Sequence, residues 1–135
     1  MKKPREPGFL DSNVVLYLLS ANARKADKAE ALLAQQPCIS VQVLNEVTSV
    51  CHRKLGMPWP EIQDLLSALK ASCTVVPLTI DTHAHAVQLA QQHQLSFYDA
   101  HIVAAALASG ASTLMTEDLH DGMVLGPIKI ENPFR

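Results

Sequence analysis

Asp11, Glu46, Asp99 and Asp118 are the residues of this 135-residue chain whose types and settings could do chemistry together. Hard divalent cations prefer oxygen ligands, and Mg²⁺ is usually held by one or two carboxylates plus water and substrate phosphates. A cation so held can activate a water and neutralise charge on a scissile phosphate. Two such ions, ~3.5–4 Å apart, could clamp both the attacking and the leaving oxygen. Three or four carboxylates converging from strand ends suit that task, and without a cation they would repel one another.

Each acid also has an ordinary explanation. Asp11 follows the apolar run Gly8-Phe9-Leu10, so it could serve only as a turn or capping residue. Glu46 is harder to explain away, because Val43, Val47 and Val50 surround it at helical spacing. A carboxylate on such a stripe must be paired, hydrogen-bonded or metal-bound. No Lys or Arg stands three or four residues away to neutralise it, and the functional reading leads. Asp99 closes a capping-box pattern that opens at Ser96, yet Ile102, Val103 and Ala106 aim the same helix at a core. Both readings of Asp99 stay open. Asp118, in Thr116-Glu117-Asp118-Leu119, is by itself a loop acid.

The elements that must position these acids are legible in outline. Gly8-Phe9-Leu10 reads as a buried strand, and Ser12 or Asn13 can cap a helix carrying Val14, Val15, Leu18 and Leu19. A helix over 25–35 stops before Pro37, and Cys38-Ile39 forms a second strand. Ser40 caps a helix from Val41 to about Leu55, which Gly56 and Pro58 end. Pro60 opens a helix with Ile62, Leu65, Leu66 and Leu69 at helical period, and 74–78 is a third strand. Asp81 can cap the next helix, a further one runs from near Ser96 to Ser109, and Gly110 terminates it. Strands at 112–115 and 128–130 complete the pattern. Strands alternating with helices imply an α/β fold with a mostly parallel sheet flanked by helices. Ligands of such sheets collect beyond the carboxyl ends of the strands, where Asp11 and Asp118 fall.

Composition narrows the field. A length of 135 residues fits one domain, 1–135, and a hydrophobic fraction of 48% supplies a core. No apolar run approaches the ~20 residues of a membrane span. The basic start, Met1 to Pro7, lacks the apolar stretch of a secretory signal, and a cytoplasmic protein without membrane attachment is expected. Cys38, Cys51 and Cys73 are odd in number and widely spaced, which suits buried free thiols better than disulfides or zinc. The net charge of −2 runs against the usual basicity of nucleic-acid binders, although a carboxylate site itself adds negative charge. The clusters Arg24-Lys25-Lys28 and Arg53-Lys54 could follow a phosphate backbone, but a solvated helix face is the simpler reading for each.

The motifs resemble those of a known family. Phe9-Leu10-Asp11-Ser12-Asn13-Val14-Val15, Val43-Leu44-Asn45-Glu46-Val47, the run from Tyr98-Asp99-Ala100-His101 to Ala106, and Leu114-Met115-Thr116-Glu117-Asp118-Leu119 are similar to those of PIN-domain ribonucleases. They are most similar to the VapC-type toxins of bacterial toxin–antitoxin pairs. The resemblance covers essentially the whole chain, including Ile130-Glu131-Asn132-Pro133-Phe134. It implies a PIN-like three-layer sandwich and a metal-dependent endoribonuclease. It further implies Mg²⁺ or Mn²⁺ on Asp11, Glu46 and Asp99, with Asp118 a less direct contributor and Thr116 a hydroxyl nearby. An RNA substrate, a homodimer and a small antitoxin plugging the active site are implied as well.

Other residues read as structural. His101 stands two positions after Asp99, so its helix turns it away from that acid. His83 and His85 lack the four-residue spacing of helical metal ligands, His52, His93 and His120 suit solvent, and Trp59 suits a loop anchor. Aromatics at 4% are too few for an extended base-stacking platform. A Mg²⁺-binding receiver-like signalling domain would want an acidic pair after the first strand and an acceptor Asp after the third. A haloacid-dehalogenase phosphatase would want DxD where Asp11-Ser12-Asn13 stands. A degenerate PIN-like interaction domain would be expected to have lost one of the acids.

Overall fold

The computed structural model describes residues 8–135, and the basic segment read above at 1–7 lies outside them. Strand β1 (Phe9–Leu10) is fully buried and runs into helix α1 (Ser12–Leu16), a 3-10 turn (Tyr17–Leu19) and α2 (Ala23–Leu33). Strand β2 (Cys38–Ser40) leads to α3 (Val41–Arg53) and α4 (Trp59–Ser72). Strand β3 (Thr74–Val76) leads to α5 (Ile80–His93) and α6 (Phe97–Ser109). Strands β4 (Thr113–Met115), β5 (Val124–Leu125) and β6 (Ile128–Glu131) finish the fold.

The six strands form one sheet in the order β3-β2-β1-β4-β6-β5, parallel except for the antiparallel β5–β6 pair. The chain therefore starts mid-sheet, steps outward through β2 to β3, and returns past β1 to β4. Right-handed crossovers put the helices of the outward steps and of the return on opposite faces. The reversal falls between β1 and β4, where Phe9 pairs with Leu114 and Leu10 with Met115. A crevice opens at such a switch point beyond the carboxyl ends of the strands. The residues that follow those two ends are Asp11 and Thr116.

Burial explains why the sheet holds. Phe9, Ile39, Leu114, Ile128 and Ile130 from the strands are all inaccessible to solvent. From the helices, Val14, Val43, Val47, Ile62, Ile102 and Val103 close over them. Each such side chain contributes about 1.5–3 kcal/mol on leaving water.

Several local expectations need correction. Neither Ser12 nor Asn13 caps α1: Asp11 does, accepting a hydrogen bond from Ser12 N. Thr79 caps α5 in place of Asp81, because its extended backbone lets its hydroxyl accept from Thr82 N at 3.1 Å. The third strand ends at Val76, two residues early, since Pro77 has no N–H to continue the ladder. Helix α2 begins at Ala23 behind an Asn22 cap, and Trp59 opens α4 and stacks on His52 at 4.4 Å rather than sitting in a loop. Strand β5 is an addition to the elements expected from sequence. Of the cysteines, Cys38 and Cys51 are buried and Cys73 is half-buried, all as free thiols.

Candidate active site

Asp11 is 1% exposed, an unusual setting for a carboxylate. Its Oδ1 accepts from Ser12 N at 2.7 Å and from the Tyr98 hydroxyl at 3.3 Å, and its Oδ2 accepts from Thr116 Oγ1 at 2.9 Å. Burial raises its pKa to about 6 against these hydrogen bonds, and the nearby charge of Asp118 pushes the same way. The acid is thus held at the end of β1 by groups from α1, α6 and the loop after β4.

That loop is fixed by a small polar network. Thr116 Oγ1 also accepts from Asn13 Nδ2 at 3.2 Å and from Asp118 N at 3.1 Å, while Asn13 Oδ1 accepts from Glu117 N at 3.3 Å. Ser12 Oγ lies 3.0 Å from the Tyr98 hydroxyl. Asp118 itself is exposed at the rim.

Glu46 reaches the site from α3, which packs against α1. The link is Tyr98. Burial drives this phenol's pKa up, and the charges of Asp11 and Glu46 add to the shift. The Tyr98 hydroxyl thus donates to Asp11 at 3.3 Å while standing near enough to Glu46 to feel its charge. Glu46 is half-buried, and beside it a shallow cleft of about 510 Å³ is lined by Gln42, Asn45, Ser49, Val50 and Lys54.

Asp99 lies in the first turn of α6, next in sequence to Tyr98 and half-buried. Ser96 Oγ caps the helix by accepting from Asp99 N at 3.1 Å. The reciprocal half of a capping box is missing, because among the described residues the Asp99 carboxylate accepts no hydrogen bond. The structure thus brings Asp118 near enough for its charge to act on Asp11 and Glu46 near enough to act on Tyr98, while no described contact ties Asp99 to the other three acids. Among the described residues, no group of three or more His, Cys, Asp or Glu is close enough to hold a metal ion.

Tyr98 and Asn13 are not singled out by sequence, and their only signal is membership of motifs notable for their acids. His101 is 6% exposed, and its buried Nδ1 has no partner among the described residues. Burial and the neighbouring His83 lower its pKa. It helps to line an apolar cleft of about 500 Å³ with Phe97, Tyr98, His83 and Ile80, behind the carboxylates. No described helix is long and apolar enough to cross a membrane.

Comparison with known proteins agrees with the fold. A family model described as PIN domain matches residues 8–120. A toxin–antitoxin complex from Klebsiella pneumoniae is similar at 22% identity and a TM-score of 0.72, over 93% of this chain and 97% of that one. VapC20 of Mycobacterium tuberculosis, a toxin cleaving the sarcin–ricin loop, is similar at 23% identity and a TM-score of 0.60, over 79% and 86%. VapBC2 of Rickettsia felis, solved on a fragment of promoter DNA, is similar at 20% identity and a TM-score of 0.66, over 93% and 97%. No curated protein matches the sequence.

Proposed function

The chain belongs to the PIN domain family, and from that premise we propose that it is a metal-dependent endoribonuclease acting as the toxin of a toxin–antitoxin pair. The observation that carries this reading is the buried Asp11 at the switch point of the sheet, hydrogen-bonded to Tyr98 and tied through Thr116 to the Asp118 loop. A carboxylate buried without a cationic partner is expensive, and functional sites are where such expense is found.

The donors fit a hard cation in kind, being carboxylate, hydroxyl and amide oxygens without sulfur or imidazole. Asp11, Glu46 and Asp99 would hold Mg²⁺ or Mn²⁺, with Asp118 contributing from the rim, and binding would have to draw together carboxylates that do not form a cluster as they stand. When bound, the ion would supply an activated water and offset charge on the scissile phosphate. The chain's own part is positional. Thr116 and Ser12 N fix both oxygens of Asp11, Tyr98 donates a further hydrogen bond to it, and Asn13 ties down the backbone that presents Asp118. Hydrolysis would join the oxygen of water to phosphorus and break the bond to the leaving ribose oxygen, which takes up a proton.

The similar structures include toxin–antitoxin complexes, which supports a small antitoxin as partner. An acidic cleft suits an arginine, whose guanidinium forks onto carboxylates. A homodimer is the proposed assembly, supported by the apolar side chains exposed near the N-terminal ends of α5 and α6. The test of the enzyme is direct. Antitoxin-free protein should cleave RNA with Mg²⁺ or Mn²⁺ and stop in EDTA. Asp11→Asn, Glu46→Gln and Asp99→Asn should each lower the rate by at least about a hundredfold. Full activity in EDTA, or an active Glu46→Gln protein, would sink the mechanism and favour a PIN domain retained only for protein contacts.

A further inference from the structure

Of the chain's 11 Lys and Arg, eight fall within the described residues, and half of these line a single cleft. Arg24, Lys25 and Lys28 come from α2 and Arg135 from the C-terminal segment, in a cleft of about 450 Å³ where Asp27 is the one acid among the described lining residues. From sequence alone the α2 cluster reads as a solvated helix face. The structure adds Arg135, more than 100 residues away, and a reason for its position.

That reason is Lys25. Its Nζ donates to the Tyr17 hydroxyl at 3.0 Å and sits 4.5 Å from the centroid of the Tyr17 ring and 5.7 Å from that of Phe134. Tyr17 and Phe134 meet edge to face at 4.6 Å, so the C-terminal segment is clasped against the start of α2. Lys25 also pairs with Glu117 at 3.9 Å, the one ion pair among the described residues. Arg24, Lys28 and Arg135 therefore carry charge that no described acid meets within salt-bridge distance.

A chain of contacts links the cleft to the carboxylate site. Glu117, the partner of Lys25, precedes Asp118, and its N–H is held by Asn13, which also bonds Thr116 beside Asp11. We propose that this cleft binds the phosphate backbone of single-stranded RNA flanking the scissile bond, with Arg24, Lys28 and Arg135 as the phosphate contacts. The inference rests on the nuclease reading. It also eases the charge difficulty of a chain at −2, because half of the described cations are gathered in one cleft that touches, through Lys25 and Glu117, the loop carrying Asp118. An acidic segment of a protein partner would meet the same charges, but it would have no need of a cleft linked to the Asp118 loop.

The measurement is the salt dependence of binding. In the full-length Glu46→Gln protein with Mg²⁺, a short fluorescent oligouridylate should bind with a log–log salt slope that falls by about 1.4 in the added Arg24→Gln/Lys28→Gln variant, ~0.7 per lost contact. Affinity at low salt should drop roughly tenfold, and Arg135→Gln should lower the slope again. Both α2 side chains are exposed, so the melting temperature should not move. If the slope persists in the double variant while the unmutated protein cleaves RNA, the cleft is overturned and the nuclease stands. A protein that neither binds nor cleaves RNA overturns both. Loss of oligoglutamate binding in the double variant, with RNA binding intact, would give the cleft to an acidic partner and overturn the proposal.

Discussion

At Asp11 one side chain couples the stability of the metal-free protein to pH. Its folded pKa of about 6 lies above the ordinary 3.8, so the folded state binds this proton more tightly than the unfolded chain does. The resulting stabilisation is complete below about pH 3.8 and is lost as pH rises through about 6. At neutral pH the ionised group then costs about 3 kcal/mol, since each tenfold change in proton affinity is worth about 1.4 kcal/mol. Asp11→Asn keeps an acceptor for Ser12 N and removes the charge. The variant should be more stable than wild type at pH 7.5 in EDTA, with the gap closing below pH 4. Urea melts at the two pH values check this, and a gap that ignores pH would show that Asp11 is not the responsive group. The cation should reverse the order, because it stabilises only a folded state that can bind it.

The N-terminus of α6 shows how one element serves both stability and chemistry. Ser96 caps it through Asp99 N, so Ser96→Ala should cost about 1 kcal/mol with or without metal. The Asp99 carboxylate takes no part in that cap and is free for other work. Asp99→Asn should therefore melt within ~0.5 kcal/mol of wild type in EDTA, since only a helix-dipole contribution is lost as local repulsion is relieved. Its gain from excess Mn²⁺ should shrink. A variant less stable in EDTA that still gains as much from Mn²⁺ would make Asp99 a helix-terminal residue and not a ligand. Sequence carried much of this: the capping pattern at Ser96, the helix ending at Gly110 and the acid among valines at Glu46 all follow from local spacing. What escaped it was non-local or too short to show a period. Tyr98 meets Asp11 across 87 positions, and Arg135 joins α2 only through the Lys25 clasp. Strand β5 is two residues long, Val124–Leu125, and no alternation can announce it. At α5 the cap is expected at Asp81, and the extended backbone at Thr79 gives it to the threonine hydroxyl instead.

For the whole molecule, charge and apolar surface are arranged on different flanks of one crevice. The cations gather beside α2, whereas Leu78, Ile80 and Phe97 stand 43%, 86% and 47% exposed around the start of α5 and α6, with Val87 45% exposed two turns along α5. Ile80 heads α5 with almost its whole side chain in water, and Phe97 heads α6 beside His83, with ring centroids 5.4 Å apart. Large apolar groups scattered singly need no explanation, but several on one flank mark a surface that gains by being covered. A two-fold dimer covers such a patch with its own copy, which is the arrangement closed symmetry favours. Because Tyr98 borders both this cleft and Asp11, pairing there would set two acid sites near one another while leaving the basic clefts open to RNA. The protein should therefore sediment as a dimer at micromolar concentration. Ile80→Asp should shift it to monomer, because an ionised side chain would be buried without a partner. Its melting temperature at low concentration should stay close to that of the wild-type monomer, since Ile80 contributes little to the fold's own core. Sedimentation of wild type as a monomer at about 100 µM, where even a micromolar dimer would be formed, would refute the assembly. A dimer that Ile80→Asp leaves intact would move the interface to another face.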